Sequence, residues 1–171
     1  MSTNSIFNFI RVNETIGTAG QPTAEQLEAA RHEGYEAVVN LAPNSADNHA
    51  LPDEQALVNS LGMAYHHIPV EWTNPKQEQF VAFSDLMEEL RGKKVLIHCA
   101  ANYRVTAFFS LYAMKHEGWS AEQANLLISR IWESHPDYRM DNTWRSFIDD
   151  IRSQLDLAAL PPNHSLQARR P

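Results

Sequence analysis

Apolar positions along the chain change period several times, and each change marks an element. EAVVNLA from Glu36, MAYHHIPV from Met63 and KKVLIHC ending at Cys99 are short β-branched or apolar runs that predict strands. FNFIRV followed by ETIGTAGQP predicts two further short strands joined by a turn, with Gly17, Gly20 and Pro22 as punctuation. Between them the period lengthens to that of helices. TAEQ from Thr23 is a capping-box pattern that opens a helix running to about Gly34. DEQALVNSLG predicts a helix ending at Gly62, and Asn74 with Pro75 supplies a cap and a first-turn proline for a helix carrying Phe80, Phe83, Met87 and Leu90 on one face.

Val105, Phe108, Phe109 and Tyr112 lie at helical spacing, and Ala107, Leu111 and Met114 make the other faces apolar, so the helix from about Val105 to Glu117 is central and buried. Ser120 with Gln123 repeats the capping box ahead of Ala124, Leu127, Ile128 and Ile131, and Pro136 stops that helix. A last helix carries Trp144, Phe147, Ile148, Ile151 and Leu155; Trp132 and Trp144 fall at core positions. The tail from Pro161 to Pro171 has no periodicity and reads as disordered. Strands alternating with helices predict an α/β fold, one sheet covered on both faces.

At 171 residues this pattern fits a single domain, and 43% hydrophobic residues suffice for a core without disulfides. A net charge of -7 argues against nucleic acid as the partner. No apolar run is long enough to span a membrane, and Met1 to Asn8 lacks the basic start of a secretory signal, so a cytoplasmic location is expected. One cysteine makes neither an internal disulfide nor a thiolate metal site, and His66 and His67 point to opposite faces of a strand, so no metal or other cofactor is expected.

That cysteine lies in VLIHCAANYRVTAFF, where a buried strand passes through a short loop, Cys99 to Arg104, into the buried helix. Amides at a helix start lack internal partners and sit at the positive end of the dipole, so such a loop can wrap an oxyanion. Arg104 adds a planar fork able to give two parallel hydrogen bonds to a phosphate. The same surroundings activate a thiol. A free cysteine is only about 3% thiolate at neutral pH, and each pKa unit of activation needs about 1.4 kcal/mol. A helix terminus supplies about 0.3–2 kcal/mol and a cation at about 4 Å roughly 4 kcal/mol, so the arginine and the amides act together.

The run resembles the signature of the cysteine-dependent protein tyrosine and dual-specificity phosphatases, and the likeness extends from about Ile10 to Leu155. AGQPTAEQLEAARHEGYEAVVNLAP looks like the opening of the bacterial dual-specificity-like group. HHIPVEWTNP looks like the strand and loop that deliver the general acid, and Asp141-Asn142 resembles the Pro-Asn turn before the last helix. The resemblance implies a phosphatase-like domain over residues 1–160 with a central, mostly parallel sheet flanked by helices. It also implies hydrolysis of a phosphorylated protein or a small phosphate ester through a phosphocysteine. Cys99 is then the nucleophile, and Ala100, Ala101, Asn102, Tyr103, Arg104 and Thr106 hold the phosphate, with Thr106 where the family stabilises the departing thiolate. His98 supports the loop from behind. Glu71 is the nearest carboxylate for the general acid, with Asp47 and Asp53 as substitutes.

Two departures mark an atypical bacterial branch: four residues rather than five separate Cys99 from Arg104, and the loop has no glycine. Asn102 is the loop residue best able to take a positive φ in glycine's place. A rhodanese-like sulfurtransferase, whose loop often has the four-residue spacing, and a non-catalytic phospho-binding module are the alternatives.

Overall fold

The computed structural model describes residues 1–44, 50–137 and 139–159, so the polar stretch containing Asp47 and the tail from Pro161 lie outside the described residues. Among these residues five strands form one sheet: β1 (Ile10–Arg11), β2 (Ile16–Ala19), β3 (Ala37–Asn40), β4 (Ala64–His67) and β5 (Val95–His98). Their order is β1-β2-β5-β3-β4. β1 is antiparallel to β2, and the other three pairings are parallel. β5 is therefore internal, and all four of its residues are buried, which explains why VLIH is an unbroken apolar run rather than an alternating one.

Among the described residues six α-helices cover the sheet: α1 (Ala24–His32), α2 (Glu54–Ser60), α3 (Gln77–Glu89), α4 (Tyr103–His116), α5 (Ala121–Trp132) and α6 (Asn142–Ala159). Strand side chains alternate between the faces. Val39, Val95 and Ile97 join the core built with α3 to α6, whereas Val38 and Leu96 join Leu27 and Ala30 of α1 and Val58 of α2. By the same alternation His98 faces the α1/α2 side and Cys99 the α3–α6 side, where Cys99 joins the larger core.

Both predicted capping boxes are present. Thr23 accepts from the Gln26 amide while Gln26 accepts from Thr23, and Ser120 and Gln123 do the same. Two helix starts differ from the sequence expectation. α3 begins at Gln77 because the Gln79 side chain accepts the Lys76 amide at 2.9 Å, and Asn74 instead closes a turn onto the Glu71 carbonyl. α4 begins two residues early, at Tyr103, because Asn102 holds the reversal that precedes the helix. Arg104 consequently sits in the first turn of α4. Trp132 and Trp144 are buried in the core.

Candidate active site

The loop from Cys99 to Arg104 leaves the C-terminal end of the central strand and enters α4. Asn102 has φ +74°, the left-handed conformation that glycine would otherwise supply. The side chain holds that bend, since Nδ2 donates to the Asn8 carbonyl at 2.8 Å and to Thr18 Oγ1 at 3.0 Å. Asn8, itself at positive φ, donates from its own Nδ2 to the Ala101 carbonyl at 3.0 Å.

Further carbonyls of the loop are tied from behind. Gln21 gives its amide to the Ala100 carbonyl at 3.0 Å, and His98 Nδ1 lies 3.3 Å from the Cys99 carbonyl. The Asn102 carbonyl accepts from the Thr106 amide at 3.0 Å. All described peptide bonds are trans, and a trans peptide points its N–H opposite its C=O. Fixing the Cys99, Ala100 and Asn102 carbonyls on the back of the loop therefore turns the Ala100, Ala101 and Tyr103 amides toward its hollow. Arg104 and Val105 continue the row as first-turn residues of α4.

Cys99 is 1% exposed and Arg104 7%. Arg104 Nε donates to the Val70 carbonyl at 2.8 Å, and its guanidinium carbon lies 5.3 Å from the Trp72 ring centroid. Among the described residues no carboxylate forms an ion pair with this buried cation. Burying an unpaired charge is costly, and an anion in the loop would remove the cost.

Glu71 stands between these two anchors. It is exposed, and among the described residues its carboxylate has no hydrogen-bond partner, while Trp72 stacks on Trp132 at 5.5 Å and gives its carbonyl to Trp144 Nε1 at 2.8 Å. Tyr103 lies 6.2 Å from Trp72, so an aromatic cluster flanks the arginine. Thr106 is fully buried, its hydroxyl within hydrogen-bond distance of the Asn102 and Tyr103 carbonyls at 3.0 and 3.2 Å, so it braces the helix start. Asp53 is exposed at the N-cap of α2, beside a cavity of about 440 Å³ that Tyr65 and His67 also line. A cavity of about 620 Å³ touches Ala100 and Ala101 together with Gln21 and Phe7.

Two residues that sequence reasoning missed complete the back of the loop. Glu54, 6% exposed, places Oε2 at 2.6 Å from His98 Nε2, and Gln21 Nε2 donates to Glu54 Oε1 at 2.8 Å. Burial pushes the Glu54 carboxyl up, but the His98 and Gln21 hydrogen bonds and the charge of His98 more than offset this and hold it below the usual range. Tyr65, half-buried and close to Glu54, is pushed up to about 12, chiefly by its loss of solvent. In the sequence Glu54 appears only as the first residue of a helical run and Gln21 only as a turn residue. Among the described residues no group of three or more His, Cys, Asp or Glu could hold a metal ion, and no helix is long and apolar enough to cross a membrane.

The family model described as "DSP-PTPase phosphatase fused to NAD+ Kinase" matches residues 10–147. A Shewanella putrefaciens protein assigned to DUF442 and named as a candidate phosphatase is 30% identical in solved form, with a TM-score of 0.78 over 89% of this chain and 95% of that one. The P. aeruginosa protein TpbA shares the fold at 16% identity, with a TM-score of 0.64 over 91% of this chain and 93% of its own. A protein of Xylella fastidiosa named beta-lactamase hydrolase-like is 29% identical over 107 residues, which make up 60% of this chain and 24% of that protein. The chain thus spans about a quarter of the length of the curated relatives it matches.

Proposed function

This chain belongs to the family of dual-specificity-type phosphatases fused to NAD+ kinase, and from that premise we propose that it hydrolyses phosphate monoesters with Cys99 as the nucleophile. The observation that carries the reading is the buried Arg104 guanidinium, without a carboxylate ion pair among the described residues, at the end of a loop whose Cys99 and Ala100 carbonyls are held from behind.

In the first step the Cys99 thiolate attacks phosphorus in line. The S–P bond forms, the bond to the leaving oxygen breaks, and Glu71 gives that oxygen a proton. Arg104 and the amides of Ala100, Ala101, Asn102 and Tyr103 hold the non-bridging oxygens, whose charge they match without reorganising. Water then cleaves the S–P bond, with Glu71 accepting its proton and the Cys99 thiolate leaving; the Thr106 hydroxyl, engaged with the Asn102 and Tyr103 carbonyls, braces the loop rather than meeting the sulfur. The substrate is a phosphorylated protein or a small phosphate ester, and the aromatic cluster beside Arg104 suits a flat leaving group. The domain is placed over residues 1–160. A lone thiol kept reduced accords with a cytoplasmic setting.

Hydrolysis of p-nitrophenyl phosphate by the parent, Cys99→Ser and Arg104→Ala tests the reading. We expect Cys99→Ser to lose about a thousandfold or more and Arg104→Ala about a hundredfold or more. Equal rates in all three would overturn it. Thiosulfate and cyanide are assayed alongside: thiocyanate formation without ester hydrolysis would favour sulfur transfer, a reading the family match does not favour.

A further inference from the structure

The Glu54–His98 pair lies outside the reaction steps yet is among the most enclosed polar contacts of the molecule. The His98 side chain is 0% exposed and that of Glu54 5%. His98 Nδ1 faces the Cys99 carbonyl, which can only accept, and Nε2 faces a Glu54 oxygen at 2.6 Å. The other Glu54 oxygen accepts from Gln21. A ring between a carbonyl and a carboxylate satisfies both contacts only with a proton on each nitrogen.

We propose that Glu54 is a positioning residue for the phosphate-binding loop: as a carboxylate it holds His98 in the imidazolium form and Gln21 in place, so that both fix loop carbonyls on the side away from the phosphate. The proposal rests on the phosphatase reading. Glu54 reaches the loop by two routes. Through His98 Nδ1–H it fixes the Cys99 carbonyl and hence the direction of the Ala100 amide. Through Gln21, whose side chain bonds Glu54 and whose backbone amide bonds the Ala100 carbonyl, it fixes the Ala101 amide.

The surroundings fit a carboxylate at this place. Tyr65 and His67 approach from β4, Gln21 from the β2–α1 connection and His98 from β5, and Asn40 of β3 is occupied in donating to the Tyr65 hydroxyl at 3.0 Å. Burial opposes ionisation of Glu54, but the His98 and Gln21 hydrogen bonds, with the charges of His98 and His67, outweigh it. The backbone is also held against its preference here, because Asp53, just before Glu54, adopts φ +52° without being glycine.

The discriminating variant is Glu54→Gln, which keeps the size and an acceptor oxygen but removes the charge. A neutral His98 donating to that oxygen through Nε2 has no proton left for the Cys99 carbonyl. Imidazole nitrogen-15 NMR on the full chain at pH 7 is expected to show His98 with both nitrogens protonated in the parent and one in Glu54→Gln. Vanadate affinity and turnover of p-nitrophenyl phosphate are each expected to fall about tenfold, with folding verified by circular dichroism. A neutral His98 in the parent overturns the proposal, and the parent spectrum alone decides this if the variant does not fold. Vanadate affinity and turnover within twofold of the parent also overturn it. A parent that binds no vanadate contradicts the phosphatase reading itself, while the ring signal still reports the state of the pair.

Discussion

Behind the loop that follows β5, the Cys99, Ala100 and Ala101 carbonyls each have a partner from His98, Gln21 or Asn8, whereas in front of it Arg104 is buried with no carboxylate pair among the described residues. The back is satisfied within the chain, with the Asn102 Oδ1 atom as an exception. On the reading proposed above, an anion completes the front. The two sides depend on each other, because a row of amides presents a fixed geometry to an oxyanion only if the carbonyls behind them cannot turn. The sheet faces divide in the same way: His98 points toward Glu54 on the α1/α2 side, and Cys99 belongs to the aromatic core under α3 to α6.

If the back holds the front, the largest effect short of removing Cys99 or Arg104 comes from Asn102, which belongs to both. Asn102→Ala loses two hydrogen bonds and keeps a left-handed backbone, so we expect a loss of about 2–3 kcal/mol in urea unfolding and a clear drop in vanadate affinity. Asn102→Gly restores the backbone but not the bonds, and should recover about 1 kcal/mol of that loss. Equal stability of the two variants would remove the role assigned to the left-handed bend.

Next comes the acid limb of stability. The folded-state pKa of Glu54 lies below its ordinary value of 4.5, so the folded chain binds fewer protons there than the unfolded one. That contribution is complete above the ordinary value and is lost as pH falls through the lower, folded-state value. Glu54→Gln, which keeps an acceptor oxygen, should cost about 1.5 kcal/mol at pH 7. The urea midpoint at pH 7 should fall accordingly, and a midpoint equal to the parent's would contradict the assignment.

The smallest effect belongs to Glu71 on an activated ester. Glu71→Gln should change p-nitrophenyl phosphate turnover by less than about twofold and slow an alkyl phosphate by about tenfold or more, since only a poor leaving group needs the proton. Equal effects on both esters would remove Glu71 as the acid.

The legible parts of this molecule are local. Thr23–Gln26 and Ser120–Gln123 announce their helices within four residues, and the shortage of glycine between Cys99 and Arg104 points to Asn102 as the residue that bends. What stayed hidden spans long separations. Glu54 meets His98 across 44 positions, and Asn8 meets Ala101 across 93. Glu54 opens a helical run much as Glu25 does in α1, and no local pattern separates a buried acid from an exposed one. The early start of α4 was hidden for the same reason: the bend at Asn102 is held by Asn8, in the turn before β1, and by Thr18 of β2.

The central claim is that Cys99 attacks phosphorus from within this cradle, and the direct measurement is intact-protein mass spectrometry of the parent, acid-quenched during turnover of p-nitrophenyl phosphate. The account predicts an adduct of one phosphoryl group that maps to Cys99 and is absent from Cys99→Ser. Sustained turnover with no adduct on Cys99, or an adduct on another residue, would contradict it.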